Sequence, residues 1–225
     1  MNKPLKNGLY QSHLEKMANK HLPKTNKHYH NKNTDKIHIA GFKPNKCIFY
    51  FASTHRDFTK SIQERIKAYG KLENSGVTST DLKGEAFIHI NCPQLYLNDD
   101  GEVHPRHFHF IYWDSKNECW DKNLYTNQIL CKVNNKFLME HAKKSFFVCP
   151  EHMCSHSISH NMVSMEYSKR WNVERVIELF KEHNKRYDGD LLVPIIICCK
   201  KNEIHGHKLY EKLNKLGFYN TVCHV

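Results

Sequence analysis

The chain has 225 residues, of which 40% are hydrophobic and 12% aromatic, enough to bury a sizeable core and too many for a disordered segment. No apolar run approaches ~20 residues, which excludes a transmembrane helix. The opening "MNKPLKNGLYQSHLEKMANK" has no apolar h-region, so a secretory leader is not expected either. An intracellular protein with no membrane partner follows, and its nine cysteines are expected to be reduced thiols, metal ligands or catalytic groups. The net charge of +11 is unevenly spread: residues 1–36 hold eight lysines against only Glu15 and Asp35. Residues 1–45 are predicted to be a basic, flexible tail, either simply solvated or touching nucleic acid through phosphate neutralisation.

"KCIFYFAS" (46–53) predicts a buried strand. In "DFTKSIQERIKAYG", Phe58, Ile62, Ile66 and Tyr69 recur at helical spacing, Asp57 can cap the start and Gly70 can end it. "NSG" and "LKG" are turn signals, and "EAFIHIN" alternates as a strand does. "HPRHFHFIYW" alternates too, with His107, His109 and Ile111 on one face and Phe108, Phe110 and Tyr112 on the other. "NQILCKVNNKFLME" is expected to be two strands around a tight Asn-Asn turn. "KSFFVC" predicts a short strand and "NVERVIELFKEHNKRY" an amphipathic helix. "LLVPIIICC" is a continuous apolar run, as expected of a parallel strand covered on both faces. "HGHKLYEKLNKLGF" predicts a helix with Leu209, Leu213 and Leu216 inward and Gly217 as its stop, and "YNTVCHV" a last strand.

Strand, helix, strand, helix, strand is α/β wiring, and ligands of such units gather at the carboxyl ends of the strands. That point is Cys198–Cys199, followed by "KKNEIHG" and a helix, where backbone N–H groups and the helix dipole favour a thiolate. The strand "PIIICC", the helix "KLYEKLNKLGFYNT" and the upstream "FFVCPEHMCSHSISHNMVSM" occur in an order that resembles the rhodanese-like family over roughly residues 145–225. The resemblance implies a persulfide on Cys199, with sulfur taken from a thiol or small anionic donor and passed to an acceptor. The family's loop usually carries glycine and an anion-cradling arginine, neither of which stands at the expected places here, and Glu203 sits inside the loop. The loop is also one residue longer than the common sulfurtransferase form and in that resembles the related Cys-dependent phosphatases. Their arginine, six residues after the cysteine, is replaced here by His205. Lys200 and Lys201 are the other candidate sources of positive charge.

Two stretches carry metal-ligand chemistry. "CPEHMCSHSISHNM" offers Cys149 with His152, or Cys154 with His156, but no second pair at zinc-finger spacing follows. It reads better as fold than as metal site. "HPRHFHF" is the stronger candidate, because His107 and His109 point the same way on a strand and suit Zn or Fe. His104, Tyr96 and Cys92 lie close enough in sequence to complete a ligand set. The stretch "TSTDLKGEAFIHINCPQLYLNDDGEVHPRHFHF" is similar to the core signature of intradiol ring-cleavage dioxygenases. That resemblance implies Tyr96, His107 and His109 as ligands of a ferric iron, plus a second tyrosine from an earlier strand, for which Tyr50 and Tyr69 are available. A transthyretin-like β-sandwich without chemistry, or with a structural metal, has the same turn-and-strand pattern.

The expected architecture is α+β overall. A mainly antiparallel, sandwich-like β domain spans 46–142, and an α/β rhodanese-like domain with a parallel sheet spans 143–225. The leading expected function is sulfur transfer at Cys199. The alternatives are an inactive rhodanese-like and β-sandwich module that binds protein partners, and a metal-dependent oxygenase at His107 and His109. Lys and Asn richness with a basic start also suits a virion component of a large DNA virus.

Overall fold

In a computed structural model of the protein, the described residues are 16, 18–21, 29–30, 35–54, 68–97, 100–141, 144–150, 162–165, 173–186, 192–198 and 204–224. Five strands come first: β1 (Tyr29–His30), β2 (Asp35–Ile39), β3 (Cys47–Ala52), β4 (Ser75–Ser79) and β5 (Ala86–Ile90). Five more are β6 (Tyr96–Leu97), β7 (Val103–His104), β8 (His107–Asp114), β9 (Cys119–Trp120) and β10 (Tyr125–Gln128). The rest of the chain forms β11 (Lys132–Val133), α1 (Asn135–His141), β12 (Phe146–Pro150), β13 (Met162–Met165), α2 (Val173–Lys185), β14 (Ile195–Cys198), α3 (Ile204–Lys215) and β15 (Thr221–His224). The fold is mixed α+β, with antiparallel sheets and one parallel sheet. It divides into two compact units, one of residues 1–56, 62–94 and 107–129, the other of 57–61, 95–106 and 130–225.

The first unit is antiparallel. Its main sheet runs β1-β4-β3-β8-β10 with β9 on the end of β8, and β2 pairs with β5 in a separate ribbon. β3 and β8 alternate in register, Phe49 opposite Ile111, Tyr50 opposite Phe110 and Phe51 opposite His109. Period-two alternation therefore puts Phe49, Phe51, His107, His109 and Ile111 on one face. The other face carries Tyr50, Phe108, Phe110 and Tyr112, with the Phe42 ring 4.7 Å from that of Phe110. Both faces are covered, which is why "CIFYFA" reads as continuous apolar sequence. Asp81 closes the "DLKG" turn by accepting the amides of Lys83 and Glu85, both at 2.8 Å. Part of the expected tail is built into this unit. Ala18 is fully buried and its carbonyl accepts Trp120 Nε1–H at 3.0 Å, Tyr29–His30 pair with β4, and Asp35–Ile39 pair with β5.

The second unit contains a five-stranded, all-parallel sheet in the order β11-β15-β14-β12-β13, and the antiparallel β6–β7 ribbon. Its core joins Phe146, Val148, Ile195 and Ile197 of the strands to Val176 and Phe180 of α2 and Leu209, Tyr210 and Leu213 of α3. Residues 95–106 fall in this unit rather than in the β domain where the sequence placed them. At the end of this segment Arg106, 1% exposed, donates to Asn220 Oδ1 while Asn220 Nδ2 donates to the Leu192 carbonyl. The last change of unit along the chain is at 129/130.

The Asn-Asn turn expected at 134–135 is instead a helix start. Asn134 Oδ1 accepts the Phe137 amide at 3.1 Å, an N-cap, and α1 buries Phe137 and Leu138. Among the described residues no helix is long and apolar enough to cross a membrane.

Candidate functional site

Two places bring chemistry-bearing groups together. The first is the carboxyl edge of the parallel sheet. From β12 the chain steps outward to β13, then returns to the opposite side of β12 for β14 and on to β15. The strand order therefore reverses between β12 and β14, which are hydrogen-bonded neighbours with Val148 opposite Ile197. In open parallel sheets that reversal opens a crevice beyond the strand ends. β14 is buried along its whole length and ends at Cys198. Cys199, Lys200 and Lys201, expected at the reactive loop, lie outside the described residues, as does Glu203. α3 then begins at Ile204 with His205 as its second residue and no acidic residue in its first turn. It ends in a Schellman motif: Phe218 N–H reaches the Leu213 carbonyl and Gly217 N–H the Asn214 carbonyl, both at 3.0 Å, with Gly217 at φ +87°. Leu209 and Leu213 face the core as expected. Leu216, expected inward, is 53% exposed, because it stands at the helix end where the chain turns away into Gly217.

Cysteine chemistry differs from the reduced state expected. Cys92, Cys131 and Cys198 are disulfide-bonded in the structure. Cys47, Cys119 and Cys223 are free thiols. Burial pushes the Cys47 thiol up to about 11, opposed by a hydrogen bond with Ser79, so this thiol is poorly nucleophilic near neutral pH. Of "CPEHMCSHSISHNM", Cys149 belongs to β12, while His152, Cys154 and His156 lie outside the described residues.

The second place is in the first unit. His107 and His109 project from the same face of β8, as their spacing predicts, and are each 4% exposed. Their Nε2 atoms are 3.2 Å apart, with ring planes at 77°. Tyr69, 2% exposed, stands just before Gly70 and brings its Oη to 3.0 Å from His107 Nε2 and 2.8 Å from His109 Nε2. Phe51, opposite His109 on β3, packs its ring 5.5 Å from Tyr69 and 5.2 Å from His109. On the other side, β10 places Thr126 opposite His109, with Thr126 Oγ1 2.7 Å from His109 Nδ1.

The expected ligand set is thus corrected. His107 and His109 converge, and the third group with them is Tyr69, from the end of a helical turn rather than from an earlier strand. Tyr96 and His104 instead stack on each other across the β6–β7 ribbon of the second unit, centroids 5.0 Å apart. Cys92 is disulfide-bonded and supplies no thiolate. Tyr50, the other spare tyrosine, lies on the opposite face of β3, where its phenol accepts the His89 amide at 3.0 Å. Thr126 was not anticipated. Its signal was available only through register, since "YTNQ" pairs with "HFHF" residue against residue. Compared with family models and with curated proteins, the chain matches none.

Proposed function

We propose that the second unit is a rhodanese-like domain that carries sulfur as a persulfide on Cys199. The observation that supports this most is the strand order. The reversal between β12 and β14 puts the end of β14, one residue before Cys199, beside the crevice that such sheets use for ligands. A 12-residue helix follows, and its N-terminal amides and dipole favour an anion there. Sulfur transfer then needs no outside oxidant. The Cys199 thiolate attacks the sulfane sulfur of a donor such as thiosulfate. The S–S bond of the donor breaks and sulfite leaves with its electron pair. The terminal sulfur of the resulting persulfide is then attacked by a thiol or cyanide, and the Cys199 thiolate is restored. In this scheme Lys200 and Lys201 supply the positive charge that draws an anionic donor. His205, when protonated, takes the place of the family's arginine. The first unit serves as a β-sandwich-like companion, its β2–β5 ribbon fixed to the main sheet through the Tyr50–His89 hydrogen bond.

Thiosulfate:cyanide turnover tests the assignment in the reduced, full-length protein. Wild type is expected to turn over and Cys199→Ser to lose all activity, whereas Cys47→Ser, which removes a half-buried thiol of raised pKa, retains it. A wild-type protein that is folded and inactive with thiosulfate, mercaptopyruvate and persulfide donors alike contradicts sulfur transfer and leaves a non-catalytic interaction module.

A further inference from the structure

We propose that Tyr69 Oη, His107 Nε2 and His109 Nε2 are the protein donors of a zinc site in the first unit, with Thr126 as a positioning residue. This stands apart from the sulfur chemistry, since none of its groups belongs to the parallel-sheet unit.

Three observations carry it. The first is separation. Two donors each about 2.0–2.1 Å from one ion and roughly 90–110° apart lie about 2.9–3.4 Å from each other. The three donor atoms here are 2.8, 3.0 and 3.2 Å apart, two edges of the triangle within that span and the Tyr69–His109 edge just below it. The second is proton bookkeeping. A ring nitrogen holds either a proton or a lone pair, so with His109 protonated at Nδ1 the two neutral imidazoles and the phenol place at most two protons among three contacts. His107 Nε2–H to Tyr69 Oη and Tyr69 O–H to His109 Nε2 use both protons, and the 3.2 Å contact between the two Nε2 atoms then holds none. A central cation turns the same triangle into three lone pairs aimed at one point, and the phenol proton leaves to solvent as the ion enters. The third is the outer partner. When His109 Nδ1–H donates to Thr126 Oγ1, Nε2 keeps its lone pair and faces the triangle.

The chemistry of the donors selects the ion. Two neutral imidazoles and one phenolate leave a net charge of +1 around Zn²⁺ and +2 around Fe³⁺. The groups are at most 4% exposed and packed against Phe51, so the smaller residual charge is favoured. Three protein donors leave one tetrahedral position for water or hydroxide. Among the described residues no three His, Cys, Asp or Glu side chains converge, and the site is completed only by counting the phenol.

Metal analysis of the full-length protein, purified without chelator or affinity resin metal, tests this, followed by Co²⁺ replacement. About one zinc per chain is expected, together with the visible ligand-field bands of a tetrahedral Co²⁺ form. Tyr69→Phe, which keeps the ring and removes the oxygen, should weaken Zn²⁺ binding at least about 10²-fold with an unchanged circular dichroism spectrum. Thr126→Val should weaken it about 10-fold and Thr126→Ser should restore it. Zinc content no higher than that of His107→Ala/His109→Ala overturns the site. So does unaltered affinity in folded Tyr69→Phe. Should the variants fail to fold, a wild-type protein that gives no tetrahedral Co²⁺ spectrum overturns it alone. Stoichiometric iron with a tyrosinate charge-transfer band overturns the zinc assignment.

Discussion

At the scale of single residues, environment decides which of many candidate side chains carries chemistry. The chain holds 18 histidines, and their residue type alone separates none of them. His107 and His109 were legible because an i, i+2 pair on a strand must share a face. Tyr69 was legible only as a spare, since its partners sit 38 and 40 residues away and contact at that range is fixed by packing. His183 shows a different use of burial. Loss of solvation holds its imidazole below the ordinary histidine range, opposed by its Nε2–H bond to the Lys144 carbonyl at 3.2 Å, while nearby Arg186 pushes the same way as burial. The unfolded chain then binds this proton more readily than the folded one. The His183 contribution is present above about pH 6.5 and is lost as pH falls through that value. Urea midpoints should fall between pH 7 and pH 5, and His183→Gln should flatten that slope. Some slope will remain, because His224 is shifted in the same direction by burial.

At the scale of elements, patterns with one physical cause were read correctly and patterns with two were not. "PIIICC" has one cause, a strand buried on both faces, and β14 is that strand. "NN" has two. Asparagine tolerates positive φ in turns and also caps helices, and here the following Phe137 and Leu138 find a core, so the cap prevails. Leu216 kept helical spacing but sits in the turn that ends α3, and spacing does not reveal where the last turn unwinds. Two glycines separate strain from crowding. A Cβ at Gly217, φ +87°, meets no atom within 4 Å, so Gly217→Ala should cost only the left-handed backbone penalty, about 1 kcal/mol. A Cβ at Gly84, φ +75°, would lie 2.1 Å from the Phe42 carbonyl oxygen. Gly84→Ala should therefore cost roughly 3 kcal/mol or more, the backbone having to move as well. Guanidinium melts of the two variants measure the difference.

At the scale of the whole molecule, the sequence divided the chain into successive blocks, and the structure interleaves them. Composition tracks the average burial of a segment, so it cannot show that residues 95–106 leave the β unit. Arg106, at the end of this segment, is bonded to Asn220 of the same unit. Burial lowers its guanidinium to about 10 despite the opposing pull of Tyr210, whose own phenol burial pushes up to about 12. Arg106→Ala would leave Asn220 Oδ1 without this donor and should destabilise by about 3 kcal/mol, with faster protease cleavage in 95–105 as the readout. The basic start misled for a similar reason: eight lysines set the charge of residues 1–36 and carry no sign that Ala18 is buried or that β1 pairs with β4.

The proposed sulfur transfer rests on Cys199, and one measurement bears on it directly. The reduced protein is incubated with thiosulfate, then digested and mapped by mass spectrometry at each cysteine, before and after cyanide. The Cys199 peptide is predicted to gain the mass of one sulfur atom and to lose it to cyanide, while half-buried Cys47, its thiol pushed up to about 11, stays unmodified. A Cys199 peptide that never gains sulfur, in a protein whose exposed Cys119 remains open to alkylation, contradicts the account.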